Sequence, residues 1–263
     1  MNEDIVLLKA YLRLKNKSRQ IAHEELDVPS FYINHEKQMK VSYEVLNTAS
    51  VLLKCKAFLD RCILHPAHGV PHAETVAFDA GIIVMAETDA HNLDNPLTRE
   101  LVIYAQAASI LHDIKRNDDD HAYKGSLLAD EFLKTLNVPL PWRSYVCAAI
   151  KNHEAFKTVE KPENDLAALL SNALYDADKF RWGPENFTKT VWVMVLNEKI
   201  PLQIFYQGFL KNLAFIEKIQ HTFRTKTGEK YGPEFIKKGL HIGKGLYQEL
   251  TRMITDENLN RAK

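Results

Sequence analysis

Apolar residues recur at spacings of three and four along nearly the whole of this 263-residue chain, whereas runs of strict alternation rich in Val, Ile and Thr are scarce. That pattern lines one stripe of a helix with apolar side chains and leaves little from which to build a sheet, so the chain is expected to be all-α. Breakers and caps divide it into helices at about 4–16, 40–64, 72–92, 97–114, 121–136, 141–154, 164–180, 184–197, 201–224 and 233–256. Pro71 sits where a first-turn proline belongs, and Asp94 or Asn95 precedes Pro96 as a helix cap. "NVPLPW", "WGPENF" and "TGEKYGPEF" each read as a break between two helices.

With 46% hydrophobic residues the chain can bury a sizeable core. No connection is long or Gly/Ser-rich enough to be an interdomain linker, and there is no internal repeat. The expected architecture is a single-domain helical bundle: a core over residues 41–200, an N-terminal helical extension over 1–40, and a C-terminal one over 201–263 packed on the core. For the N-terminal forty residues two roles stay open, a peripheral cap or a homodimer contact. Gly239, Gly243 and Gly245 fall inside the last helix, where each costs about 1 kcal/mol against alanine, so close packing against another helix is expected to offset them. "GLHIGKG" lacks the preceding strand and the spacing of a phosphate loop.

Lys plus Arg equals Asp plus Glu at 34 each, so the net charge gives no hint of general affinity for duplex nucleic acid or acidic membranes and neither partner is expected; whatever charge matters is local. Three cysteines without zinc-ribbon or CxxC spacing suit reduced thiols. The charged N-terminus is not a signal peptide, and no apolar run approaches the ~18 residues of a membrane span, so a cytoplasmic protein is expected.

Against that background "SILHDIKR", residues 109–116, stands out, because an apolar run leads directly into His112 and Asp113. A buried carboxylate is costly unless a cation or several donors compensate it. Other groups able to bind metal lie at helix ends or on apolar faces: His72 in "HGVPHAETV", His121 in "DDDHAYKG", His153 in "IKNHEAF" and Asp178 in "ALYDADKF". A helical bundle can bring such side chains together at one point. Imidazoles and carboxylates without thiolate suit Fe, Mn, Zn, Ni or Mg, and spacing does not choose among them.

In order and setting these motifs resemble the HD-domain superfamily of metal-dependent phosphohydrolases: "HGVPHAETV" for a first histidine, "ILHDIKR" for the doublet, and "LYDADKF" for a final aspartate, over about residues 65–182. The resemblance implies His72, His112, Asp113 and Asp178 as core ligands. It adds His121 and His153 as in members that hold two divalent ions, with Asp113 bridging. It prefers Asp178 over Asp176 for the last place, and leaves His68 as a loop residue or one that supports a ligand. The activity implied is hydrolysis of a small-molecule phosphate ester, such as a nucleotide, by a metal-activated hydroxide. Lys115 and Arg116 are then candidates for binding the phosphate, with Lys179 and Arg181 behind them, and Glu154 for orienting a ligand or protonating the leaving group. The acidic run 118–120 is expected to point outward. After His153 the chain lacks the Gly-Tyr-Pro signature of the cyclic-di-GMP subclass. The same ligand order is compatible with HD-type diiron oxygenases, and a non-catalytic HD sensor or binding module is the third alternative.

Overall fold

The computed structural model describes residues 3–62 and 64–261. Among them every regular element is helical: α1 (Glu3–Glu25), α2 (Ser30–Asn34), α3 (Glu36–Thr48), α4 (Ser50–Leu59), α5 (Val70–Glu87), α6 (Pro96–Leu111), α7 (His121–Thr135), α8 (Leu140–Lys151), α9 (Asp165–Phe180), α10 (Val191–Asn197), α11 (Leu202–Ile219) and α12 (Lys226–Arg261). A 3-10 turn at Pro66–His68 precedes α5, and a π-helical turn at Asn186–Thr190 precedes α10. The all-α expectation holds, and no helix among the described residues is long and apolar enough to cross a membrane.

Contacts group the chain into two units, one of residues 29–180 with 222–232, the other of residues 1–28, 181–221 and 233–263. The first is built around α5 and α6, which pack on each other and on α9; α3 lies against α5, α4 and α8 against α6, and α7 against α8. From Val76 to Met85 only Phe78 in α5 escapes full burial. A helix buried on nearly every face can only be a central one, and its one carboxylate in this stretch, Asp79, accepts from the Tyr32 hydroxyl at 3.1 Å. Burying each Val, Ile or Met here contributes about 1.5–3 kcal/mol. α6 starts as its sequence dictates: the Asn95 side chain accepts from the amides of Leu97 and Thr98 at 2.9 and 3.3 Å, with Pro96 just inside. α5 likewise has Pro71 in its first turn.

In the other unit, the buried rings of Tyr11, Trp192, Phe205 and Phe209 form an aromatic core. The Tyr11 hydroxyl donates to the Ile200 carbonyl at 2.7 Å. The three late glycines are close-packed as expected. A Cβ on Gly239 would come within 2.9 Å of the Gly183 backbone, one on Gly243 would meet Leu213 and Phe187, and one on Gly245 would meet Ile21.

Several boundaries differ from the sequence reading. The first helix, expected over 4–16, runs on to Glu25, and the one expected over 184–197 is the π-helical turn followed by the shorter α10. The stretch read as one helix over 40–64 is α3 and α4, separated at Ala49, whose ψ of 121° is extended; its last turn also takes in Ile63, which lies outside the described residues. The short α2 has too few residues to show a period. "TGEKYGPEF" does not break the chain: α12 runs from Lys226 with Pro233 inside it. Its glycines serve contact rather than a turn, since a Cβ on Gly228 would overlap the Asp176 carboxylate and one on Gly232 the Phe223 ring.

Candidate metal centre

All six metal-binding candidates belong to the unit of residues 29–180, and each is held at or near a helix end. His72 lies in the first turn of α5, Asp178 in the last turn of α9, and His121 opens α7. His112 follows α6 directly, with Asp113 next, and His153 follows α8 after one residue. Helix ends leave backbone groups without intrahelical partners, and the histidines use them. Nδ1 of His112 donates to the Ser109 carbonyl at 2.7 Å, and Nδ1 of His153 donates to the Ile150 carbonyl at 2.6 Å. A carbonyl only accepts, so both Nδ1 atoms carry a proton and Nε2 is the atom left for a ligand.

The donor atoms converge as two sets that share Asp113. In the first, His72 Nε2 is 3.4 Å from both His112 Nε2 and Asp178 Oδ1; His112 Nε2 is 3.2 Å from Asp113 Oδ2 and 3.8 Å from Asp178 Oδ1. In the second, Asp113 Oδ1 is 3.4 Å from His153 Nε2 and 3.6 Å from His121 Nε2, and those nitrogens are 3.3 Å apart. Donors held about 2.0–2.2 Å from one ion stand about 2.8–3.6 Å from their neighbours, depending on geometry, so most of these spacings fit edges of a coordination shell. Asp113 Oδ1 is moreover buried without a hydrogen-bond partner, the condition a cation would relieve.

Charge states agree with that use. Burial opposes ionisation of Asp113, but His112, His153 and His68 outweigh it and hold the carboxyl well below the usual carboxylate range. Burial likewise opposes ionisation of Asp178, and Lys179, His72 and His112 outweigh it. Burial lowers His72. His121 is pushed down to about 4, by burial first and then by His153 and Arg116, so it is a neutral imidazole near neutrality. Burial lowers His112, but Asp113 and Asp178 overcome that effect and raise it.

Asp176 and Asp178 are separated by their direction. Two residues on a helix point about 200° apart, so only one of them can face the histidines. Asp178 does so with Oδ1, while its Oδ2 accepts from the buried Lys179 ammonium at 2.5 Å. Asp176 turns to residues 222–232 and accepts from the Arg224 and Thr225 amides and the Thr225 hydroxyl at 2.9, 2.8 and 2.7 Å. Burial raises its carboxyl to about 6 despite these donors.

His68 is drawn in more closely than its sequence position suggested. The 3-10 turn, opened by His65 accepting from the Ala67 amide, brings His68 Nδ1 within 2.7 Å of Asp113 Oδ2, without hydrogen-bond alignment. His68, His72 and Asp113 thus form a further group with metal-binding spacing. The only signal in the sequence was the His-Pro-Ala-His string itself.

Of the other candidates, Arg116 Nη1 is 2.8 Å from His121 Nε2 and 3.8 Å from Asp113 Oδ1. Glu154 is half-buried beside His153 and favours the charged form of His121. Lys115 points elsewhere: its ammonium is 3.9 Å from Asp118, and it lines an open cleft of about 410 Å³ with Cys62, Asn117 and Leu128. Arg181 pairs with Glu185 at 2.7 Å. Asp119 and Asp120 are exposed and Asp118 half-exposed.

These buried histidines and carboxylates therefore make a site able to hold a divalent metal. Compared with known proteins, the chain matches no family model, no curated protein and no solved structure.

Proposed function

We propose that the chain is an HD-type metal-dependent phosphohydrolase that cleaves a small phosphate ester, with nucleotides the first class to test. The observation that carries this reading is Asp113: a buried carboxylate whose two oxygens face two neighbouring sets of imidazole nitrogens, one of those oxygens lacking any hydrogen-bond partner. On this reading His72, His112, Asp113 and Asp178 hold one divalent ion, and Asp113, His121 and His153 hold a second.

Ions in such a site acidify water toward neutrality and offset charge on a phosphoryl oxygen. The chain's own groups do the rest. Asp113 fixes the spacing of the two halves because its oxygens belong to one rigid carboxylate. The Ser109 and Ile150 carbonyls keep Nε2 of His112 and His153 aimed inward, so no reorientation is needed when substrate arrives. Arg116, a third exposed, is the cation placed to pair with phosphate oxygens. Glu154, beside His153, is placed to pass a proton to the departing oxygen.

The test is to purify the protein, quantify its metal, and assay phosphate release from nucleotides and simple phosphate esters by wild type and Asp113→Asn. Hydrolysis that needs the metal and is lost in the variant is the expected result. Equal rates in both proteins would overturn the mechanism. Turnover that consumes oxygen and releases no phosphate would replace hydrolase by oxygenase.

A further inference from the structure

Resting on the two-ion reading above, the geometry points to Arg116 as a gate on the second half of the centre: its guanidinium occupies the His121 lone pair that an ion needs, and leaves when it finds a phosphate. Arginine has no acceptor, so the 2.8 Å contact from Arg116 Nη1 to His121 Nε2 makes Nε2 the acceptor and gives it a lone pair. A metal would use that same lone pair, and a single lone pair serves one partner at a time. The same guanidinium nitrogen lies 3.8 Å from Asp113 Oδ1, so it also screens the carboxylate oxygen of the second half. The first half meets no such cation, because the Lys179 ammonium sits on Asp178 Oδ2, away from the histidines.

Arg116 can leave. Its backbone amide is fixed to the Asp113 carbonyl at 2.9 Å, but its side chain is 35% exposed and makes no other ion pair among the described residues. A phosphate group offers the guanidinium two parallel hydrogen bonds in place of one to an imidazole. Moving the cation off His121 frees the lone pair and removes a positive charge that would repel a divalent ion. By linkage, phosphate then tightens the second ion and the second ion tightens phosphate by the same factor. The centre is thus loaded singly at rest and doubly when substrate is present.

The test is a titration of metal-free protein with Mn2+, following free ion by electron paramagnetic resonance, with and without inorganic phosphate, in wild type, Arg116→Gln and Lys115→Gln. Wild type is expected to bind one ion tightly and a second at least tenfold more weakly, with phosphate closing most of that gap. Arg116→Gln should bind the second ion about tenfold more tightly without phosphate, and phosphate should then add little. Lys115→Gln removes a neighbouring charge that does not touch His121 and should behave as wild type. Two equally tight ions in wild type without phosphate, no effect of Arg116→Gln, or an equal effect of Lys115→Gln would each overturn the gate while leaving the two-ion reading in place. The phosphate response of wild type decides the matter should Arg116→Gln fold poorly. A wild-type protein that takes up no ion would overturn both the gate and the metal reading.

Discussion

Replacing Gly228 by alanine should destabilise the protein by about 2–5 kcal/mol, although alanine is the better helix former. Gly228 lies in the first turn of α12, where glycine-to-alanine alone would stabilise by about 0.8–1 kcal/mol. The added methyl would lie 2.1 Å from Asp176 Oδ2 and 2.5 Å from its Cγ. Asp176 is fully buried and cannot swing into solvent. Displacing Oδ2 breaks its bonds from the Thr225 amide and hydroxyl, and hydrogen bonds to a charged acceptor are worth about 1.5–3 kcal/mol each. The measurement is urea unfolding of wild type, Gly228→Ala, Asp176→Ala and the double variant. Asp176→Ala removes the atoms at 2.1 and 2.5 Å and leaves only its Cβ, 3.1 Å from the added methyl, so Gly228→Ala should cost far less in that background than in wild type. Gly228→Ala with wild-type stability, or an equal cost in both backgrounds, would refute the packing argument.

Removal of metal by a chelator should lower the melting temperature of wild type, since a ligand bound only by the folded state at a hundred times its Kd adds about 2.7 kcal/mol; Asp113→Asn should show little or no chelator response in the same calorimetric scan. His68→Ala should weaken metal binding about 10–100-fold, as loss of a group supporting a ligand commonly does, read by competition with a metal indicator. Gly239→Ala should destabilise by about 1–3 kcal/mol by urea unfolding, because its methyl meets the backbone of Gly183, which cannot rotate away as a side chain could.

Much of the fold is legible in the chain because its signals are local. Pro71, Asn95 and Pro96 act within one helical turn, and apolar spacing identifies α5 to α9 without reference to partners. What escaped depended on contacts distant in sequence. Nothing in Thr48-Ala49-Ser50 announces the break between α3 and α4. The glycines of "TGEKYGPEF" read as a turn because their true reason, the Asp176 carboxylate and the Phe223 ring, is supplied by other segments. The candidate ligands were visible as polar residues out of place beside apolar runs. The opposite facing of Asp176 and Asp178 was not, because helical geometry says that they diverge and only tertiary structure says which way each points. His68 was obscured by Gly69 and Pro71, which rule out a helical pairing with His72 but permit the tight turn that brings it to Asp113.

The bond between Asp176 and Thr225 also sets an order of events during synthesis. Every donor of the candidate centre, from His72 to Asp178, is translated before Thr225, which follows Asp176 by 49 residues. At about 5–20 residues per second the nascent chain spends about 2–10 s with Asp176 complete and its partners not yet made. Asp176 therefore stays without its buried donors until the chain has reached Thr225, and the unit is closed by a segment that follows all of the candidate donors in sequence.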